Sequence, residues 1–117
     1  MRKDSIRDYA TAAFREYARL GCPTPEAISR ERDAALAADL SAVEECLRIL
    51  SLEDRQYIVD AVRAVYFAAP DVALKKGDVG KRVAVFAREY PASEVSAYRW
   101  LARARRLFAK LRGMRIE

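Results

Sequence analysis

The chain has 117 residues, 52% of them hydrophobic, with 22 Lys/Arg against 17 Asp/Glu and a formal net charge of +5; this fits one globular domain, or a small domain with a helical extension. It has no histidine and two cysteines, so no Ser-His-Asp or Cys-His nucleophile system, no His-containing zinc site and no four-thiolate site can be assembled. Charges interrupt every apolar stretch before about 18 residues accumulate, which argues against a membrane span.

Apolar spacing reads as helix almost throughout, with no sustained period of two, and predicts an all-α fold. The opening MRKDSIRDYA lacks the apolar core and small-residue cleavage site of a secretory signal. From about residue 4 to 20, Ile6, Tyr9, Ala10, Ala13, Phe14, Tyr17 and Leu20 line one helical face. Gly21, Cys22 and Pro23 then break the pattern, and Thr24-Pro25-Glu26 restarts it, Thr24 as the cap and Pro25 at the first helical position. The next helix is expected to run unbroken to about Leu50. Its residues Leu36, Leu40, Val43, Leu47 and Leu50 form a seam that wants a partner helix, by default within the chain.

The SLED sequence at residues 51–54 has the form of a capping box with Asp in place of Glu or Gln, and predicts a new helix start. That helix should reach about Ala69, with Ile58, Val62, Val65 and Tyr66 inward and Pro70 closing it. The stretch PDVALKKGD, residues 70–78, is the most loop-like in the middle of the chain. After it, Asp78 is expected to cap a helix with Val79, Val83, Phe86 and Ala87 on its apolar side, ending near Tyr90. Pro91 follows, and Ser93 opens the last helix. Cys22, in a turn, and Cys46, beside the Val43/Leu47 seam, read as ordinary reduced thiols of a cytoplasmic protein.

The charge balance changes at the same loop. Residues 1–74 hold ten Lys/Arg and thirteen Asp/Glu, a net of −3, whereas residues 75–117 hold twelve and four, a net of +8. The chain is therefore divided into an N-terminal helical bundle (residues 1–70) for support or dimerisation and a C-terminal helix-turn-helix unit (residues 75–117). A basic tail of this kind suits a polyanion. With no GxxxxGK[ST] or GxGxxG and with carboxylates scattered along helices, no enzyme, no cofactor, no catalytic residue and no metal site is expected.

Rotation by about 100° per residue places Arg99, Arg103, Arg106 and Lys110 within about 40° of one line. Ala97, Leu101, Ala104, Phe108 and Leu111 lie opposite, flanked by Trp100 and Leu107. Solvated helix faces usually mix signs, because like charges at this spacing repel. Here Glu94 is the only acid between Ser93 and Arg115, and a polyanion would neutralise the stripe. Arg99 and Arg103 are the leading candidates for DNA contact, and Ser96 and Arg99, with Val95 nearby, point outward from the first turns, where base edges are met. Arg106, Lys110, Lys81 and Arg82 suit phosphates, as do Lys75 and Lys76 in the loop before them. Arg105 and Arg112 lie about 120–140° from the stripe and are left to the bundle or solvent, while Trp100 and Phe108 are read as core.

Ala87, Ser93 six residues on, Ser96, Ala97, Leu101 and Ala104 follow the spacing of many helix-turn-helix proteins. The stretch SEVSAYRWLARARR (residues 93–106) resembles sigma-factor region-four domains. More closely, it resembles phage and prophage transcriptional regulators of the ArpU/RinA-like type, and RDYATAAFREYA (residues 7–18) is similar to their first helix. The resemblance covers about a third of the chain and implies sequence-specific binding of double-stranded DNA and control of transcription. A homodimer, or a contact of the N-terminal helices with RNA polymerase, would accompany it. The alternative is a helical adaptor whose basic helix docks an acidic partner protein, and a weaker third reading is non-specific nucleic-acid packaging. In one respect the chain departs from the pattern: Pro91 stands where the usual turn carries glycine. Proline cannot adopt positive φ and pushes Tyr90 out of the helical region, so the turn must be wider or of another type.

Overall fold

The computed structural model describes residues 4–114. Their order is α1 (Ser5–Arg19), α2 (Pro25–Ser29), α3 (Ala34–Leu52), α4 (Gln56–Val62) continued by a π-helical turn (Arg63–Phe67), α5 (Asp78–Glu89) and α6 (Glu94–Arg112). Among the described residues there is no strand, and the fold is all-α. No described helix is long and apolar enough to cross a membrane.

Capping chemistry sets most boundaries. The side chains of Asp4, Thr24 and Ser93 accept from the amides of Arg7, Ala27 and Ser96 and start α1, α2 and α6. Each satisfies one of the free N–H groups of a first helical turn. Gly21 and Cys22 both adopt positive φ and end the α1 region. The long helix expected from Pro25 to Leu50 is instead two helices. Asp33 accepts from the Leu36 amide and starts α3, leaving α2 with five residues.

The capping box at residues 51–54 is absent for the opposite reason. Ser51 and Leu52 are the last residues of α3, and Asp54 has φ 62°, the left-handed conformation of a helix end. The next helix begins at Gln56 with no side-chain cap, and Ser51 Oγ instead donates to Gln56 Oε1 at 2.9 Å. Asp78 likewise is not a cap but the first residue of α5, behind Gly77 at φ 91°. Its carboxylate accepts from the backbone N–H of Lys75 at 2.7 Å and so closes the loop.

One core runs through all six helices. Phe14 of α1, Val43, Cys46 and Leu50 of α3, Ile58 and Val62 of α4, Val65 and Tyr66 of the π turn, Val83 of α5 and Leu101 and Phe108 of α6 are buried together. Phe14 lies between two rings, stacked on Tyr66 at 5.7 Å and tilted against Phe108 at 5.7 Å. The acidic first part and the basic last part of the chain thus share a hydrophobic interior. Helix α6 lies at its centre, packed by α1, α3, α4 and α5.

The connection from α4 to α5 is held by two arginines. A π turn widens the helix by one residue and leaves carbonyls without their usual i+4 donors. Arg15 of α1 fills the gap: Nη1 donates to the carbonyls of Tyr66 (3.0 Å) and Ala68 (3.2 Å), and Nη2 to those of Ala69 (2.9 Å) and Val72. Arg82 of α5 donates to the Val65 carbonyl at 2.8 Å. Burial, and then the neighbouring Arg82 charge, draw the Arg15 guanidinium below its ordinary pKa, with Asp78 opposing.

Arg15→Met is expected to lower stability by about 3 kcal/mol in urea denaturation. It strands the part-buried Tyr66 carbonyl and removes the charge-assisted bonds that tie the exposed carbonyls of Ala68, Ala69 and Val72 to α1. A midpoint equal to wild type would mean that the Arg15 bonds contribute nothing to stability. The two thiols should also differ. Cys22 is exposed, whereas Cys46 is fully buried, donates Sγ–H to the Ala104 carbonyl at 3.5 Å, and is pushed up to about 12 by burial. A disulfide-exchange reagent at mildly alkaline pH should therefore titrate one thiol in the native protein and two after denaturation.

Candidate nucleic-acid interface

Helices α5 and α6 are joined by residues 90–93, and the turn is made without any left-handed residue. Tyr90 has φ −110° and ψ 138°, the extended geometry that a following proline imposes. The Ala92 amide donates back to the Tyr90 carbonyl at 2.6 Å, and Ser93 (φ −85°, ψ 160°) leads directly into α6. Pro91 therefore replaces a glycine-type turn with an extended corner. Aromatic packing fixes this corner to the core. Phe86 stacks on Tyr90 at 4.9 Å, and the Trp100 ring stands edge-on to Tyr57 (4.8 Å), Tyr90 (6.1 Å) and Phe86 (6.3 Å). Trp100 is thus a packing residue between α4, α5 and α6, with its ring committed to neighbours.

Rotation about the α6 axis sorts its side chains. Ala97, Leu101, Ala104 and Phe108 have no exposed surface. Leu111, expected with them, is 37% exposed, and Ala109 is buried in its place. The end of α6 is held from the Arg112 side. Arg112 Nε donates to Asp39 Oδ1 of α3 at 2.7 Å, the Tyr9 hydroxyl donates to the same oxygen at 2.7 Å, and the Tyr9 ring stacks on Phe108 at 6.2 Å. This turns Leu111 outward. The Asp39 carboxylate raises the pKa of both partners, of Arg112 by favouring its charge and of Tyr9 by accepting its proton.

The opposite face carries Arg99, Arg103, Arg106 and Lys110. All four are exposed, and none forms an ion pair with another described residue. The two remaining cations of the helix are spent on the fold: Arg112 on Asp39, and Arg105 through Nη1 on the Tyr66 hydroxyl at 2.7 Å. From Arg99 to Lys110 the stripe is about 16 Å long at 1.5 Å per residue, and its helix is of a size that the major groove of duplex DNA admits.

The other expected contact residues divide. Val95 is 61% exposed at the start of the same face. Ser96 is half-buried, its hydroxyl accepting from Ser93 Oγ at 3.0 Å. Lys81 is exposed on α5, together with Lys75 and Lys76 in the preceding loop. Arg82 is half-buried and committed to the Val65 carbonyl, so it stands apart from the exposed cations. Tyr98, 45% exposed in the first turns of α6, went unmarked by sequence reasoning, because an aromatic residue near a buried face reads as core. No protein-family model, curated protein or solved structure matches the chain.

Ser93 anchors the entry to this helix, since its Oγ accepts from the Ser96 amide at 3.0 Å. Ser93→Ala should cost about 1 kcal/mol in thermal or chemical denaturation, and Ser93→Asp should preserve the cap. Equal stability of all three proteins would mean that the hydroxyl does not set the start of α6.

Proposed function

We propose that the chain is a small sequence-specific regulator that binds double-stranded DNA through α6, cytoplasmic and of the phage or prophage type that residues 93–106 resemble. The observation that carries this reading is the division of cations on one helix. Arg105 and Arg112 have partners inside the fold, whereas Arg99, Arg103, Arg106 and Lys110 stand in line and exposed, with no ion pair to any other described residue. Mutual repulsion along such a line is relieved when phosphates replace its counterions.

In this reading Arg99 and Arg103, with Val95 at the helix start, face the base edges. Arg106, Lys110 and Lys81 hold the backbone and supply affinity without sequence information. One short recognition helix seldom supplies enough discrimination, so two copies on paired half-sites are the economical arrangement. The remaining helices then serve as support, as the dimer surface or as a contact for RNA polymerase.

Selection of bound sequences from a random duplex library is the test. A consensus should emerge that is bound at least about a thousandfold more tightly than random duplex. Arg99→Ala should weaken binding to it by about 1–3 kcal/mol and relax one position. Lys110→Ala should weaken all sequences alike and lower the salt slope by about one. Steep salt dependence without a consensus would leave only packaging. Absence of DNA affinity would leave the acidic-partner adaptor.

A further inference from the structure

A cleft of about 630 Å³ opens between α1, the loop before α5, and α6, a volume in the range of small-molecule sites. Its walls are mainly apolar, with Leu74, Val79 and Leu101 among them, but three arginines, Arg7, Arg15 and Arg105, line it against a single acid, Asp8. Arg7 and Asp8 form a loose exposed pair at 3.8 Å. Arg15 has both terminal nitrogens engaged with backbone carbonyls and contributes its field rather than a free donor. Arg105 is different: it is half-buried, and it donates from Nη1 alone, to the Tyr66 hydroxyl.

Tyr66 supplies the second half of the site. Tyr66 is 2% exposed and lines the cleft beside Arg105, and the bond accepted from Arg105 is the only one its hydroxyl makes among the described residues. The phenolic proton therefore has no acceptor there, although a phenol ordinarily uses its O–H when buried. An unused O–H beside a guanidinium with spare N–H groups, in the lining of a mainly apolar cleft, is a recognition pattern for a carboxylate. We infer that the cleft binds a small organic carboxylate. Its head accepts from the Tyr66 hydroxyl and the Arg105 guanidinium, and its apolar body lies along Leu74, Val79 and Leu101. The site depends on α1 and α6 together and is independent of whether α6 binds DNA.

Calorimetric titration of the full chain with octanoate, and with octanol as its uncharged counterpart, tests this. Octanoate should bind saturably and about tenfold or more tighter than octanol, as expected for charge-assisted hydrogen bonds in a sheltered site. Tyr66→Phe keeps the ring that stacks on Phe14 and should weaken octanoate about tenfold while leaving octanol unchanged. Arg105→Gln should act in the same direction. Leu74→Trp, which fills the cleft from its exposed loop, should abolish both titrations. Circular dichroism and melting temperature establish that each variant is folded. Equal binding of the two ligands, octanoate binding unmoved by folded Tyr66→Phe or Arg105→Gln, binding that survives Leu74→Trp, or no saturable binding at all would each overturn the inference.

Discussion

The structure depends on one guanidinium. Arg15 gathers four carbonyls from the segment in which the chain leaves α4, widens into a π turn and reverses through Ala69, whose φ of 46° an alanine rarely adopts. Without that donor the part-buried Tyr66 carbonyl would lose its partner, and the exposed carbonyls of Ala68, Ala69 and Val72 would be left to water instead of being tied to α1. Arg82 grips the Val65 carbonyl from the other side. The turn is thereby tied to α1 and α5 at once, and the position of α5 then sets where the Tyr90–Pro91 corner delivers α6.

These interactions explain why the sequence is legible in some places and opaque in others. Helix periodicity identified the faces holding Phe14, Val43, Leu50, Ile58, Val62, Leu101 and Phe108, because burial of apolar area is a local pattern summed over a helix. The caps at Thr24 and Ser93 were legible because proline or a break precedes them. Asp33 was not, since an aspartate within ERDAALAADL reads equally as a solvated helical residue. The SLED sequence misled for a related reason. Ser and Asp bond to backbone at either end of a helix, and here burial of Leu47 and Leu50 carries α3 through to Leu52. The π turn and its clamp had no local signature at all. Arg15 bonds to main-chain carbonyls more than fifty residues away, and carbonyls look alike in any sequence.

The candidate interface was legible to the same degree. Rotation alone separated the exposed stripe of α6 from Arg105 and Arg112, which lie about 120–140° around the axis. What rotation could not assign was the use of those two residues, because their partners, Tyr66 and Asp39, come from other helices. Arg82 shows the converse. A cation in the first turns of α5 looked like a phosphate contact, and it is the backbone partner of the π turn instead.

Helix α6 therefore carries two surfaces with opposite demands. Its buried side must be rigid, and it is packed by four elements and fastened at its far end by the Arg112–Asp39–Tyr9 contacts. Its exposed side must keep four like charges close together, which destabilises an isolated helix by a few tenths of a kcal/mol per pair. The burial of Leu101, Ala104 and Phe108 outweighs that repulsion several-fold, since a fully buried Leu or Phe is worth about 1.5–3 kcal/mol. The core thus holds the four exposed cations in line within the folded chain, and the cost of bringing these like charges together is met in folding.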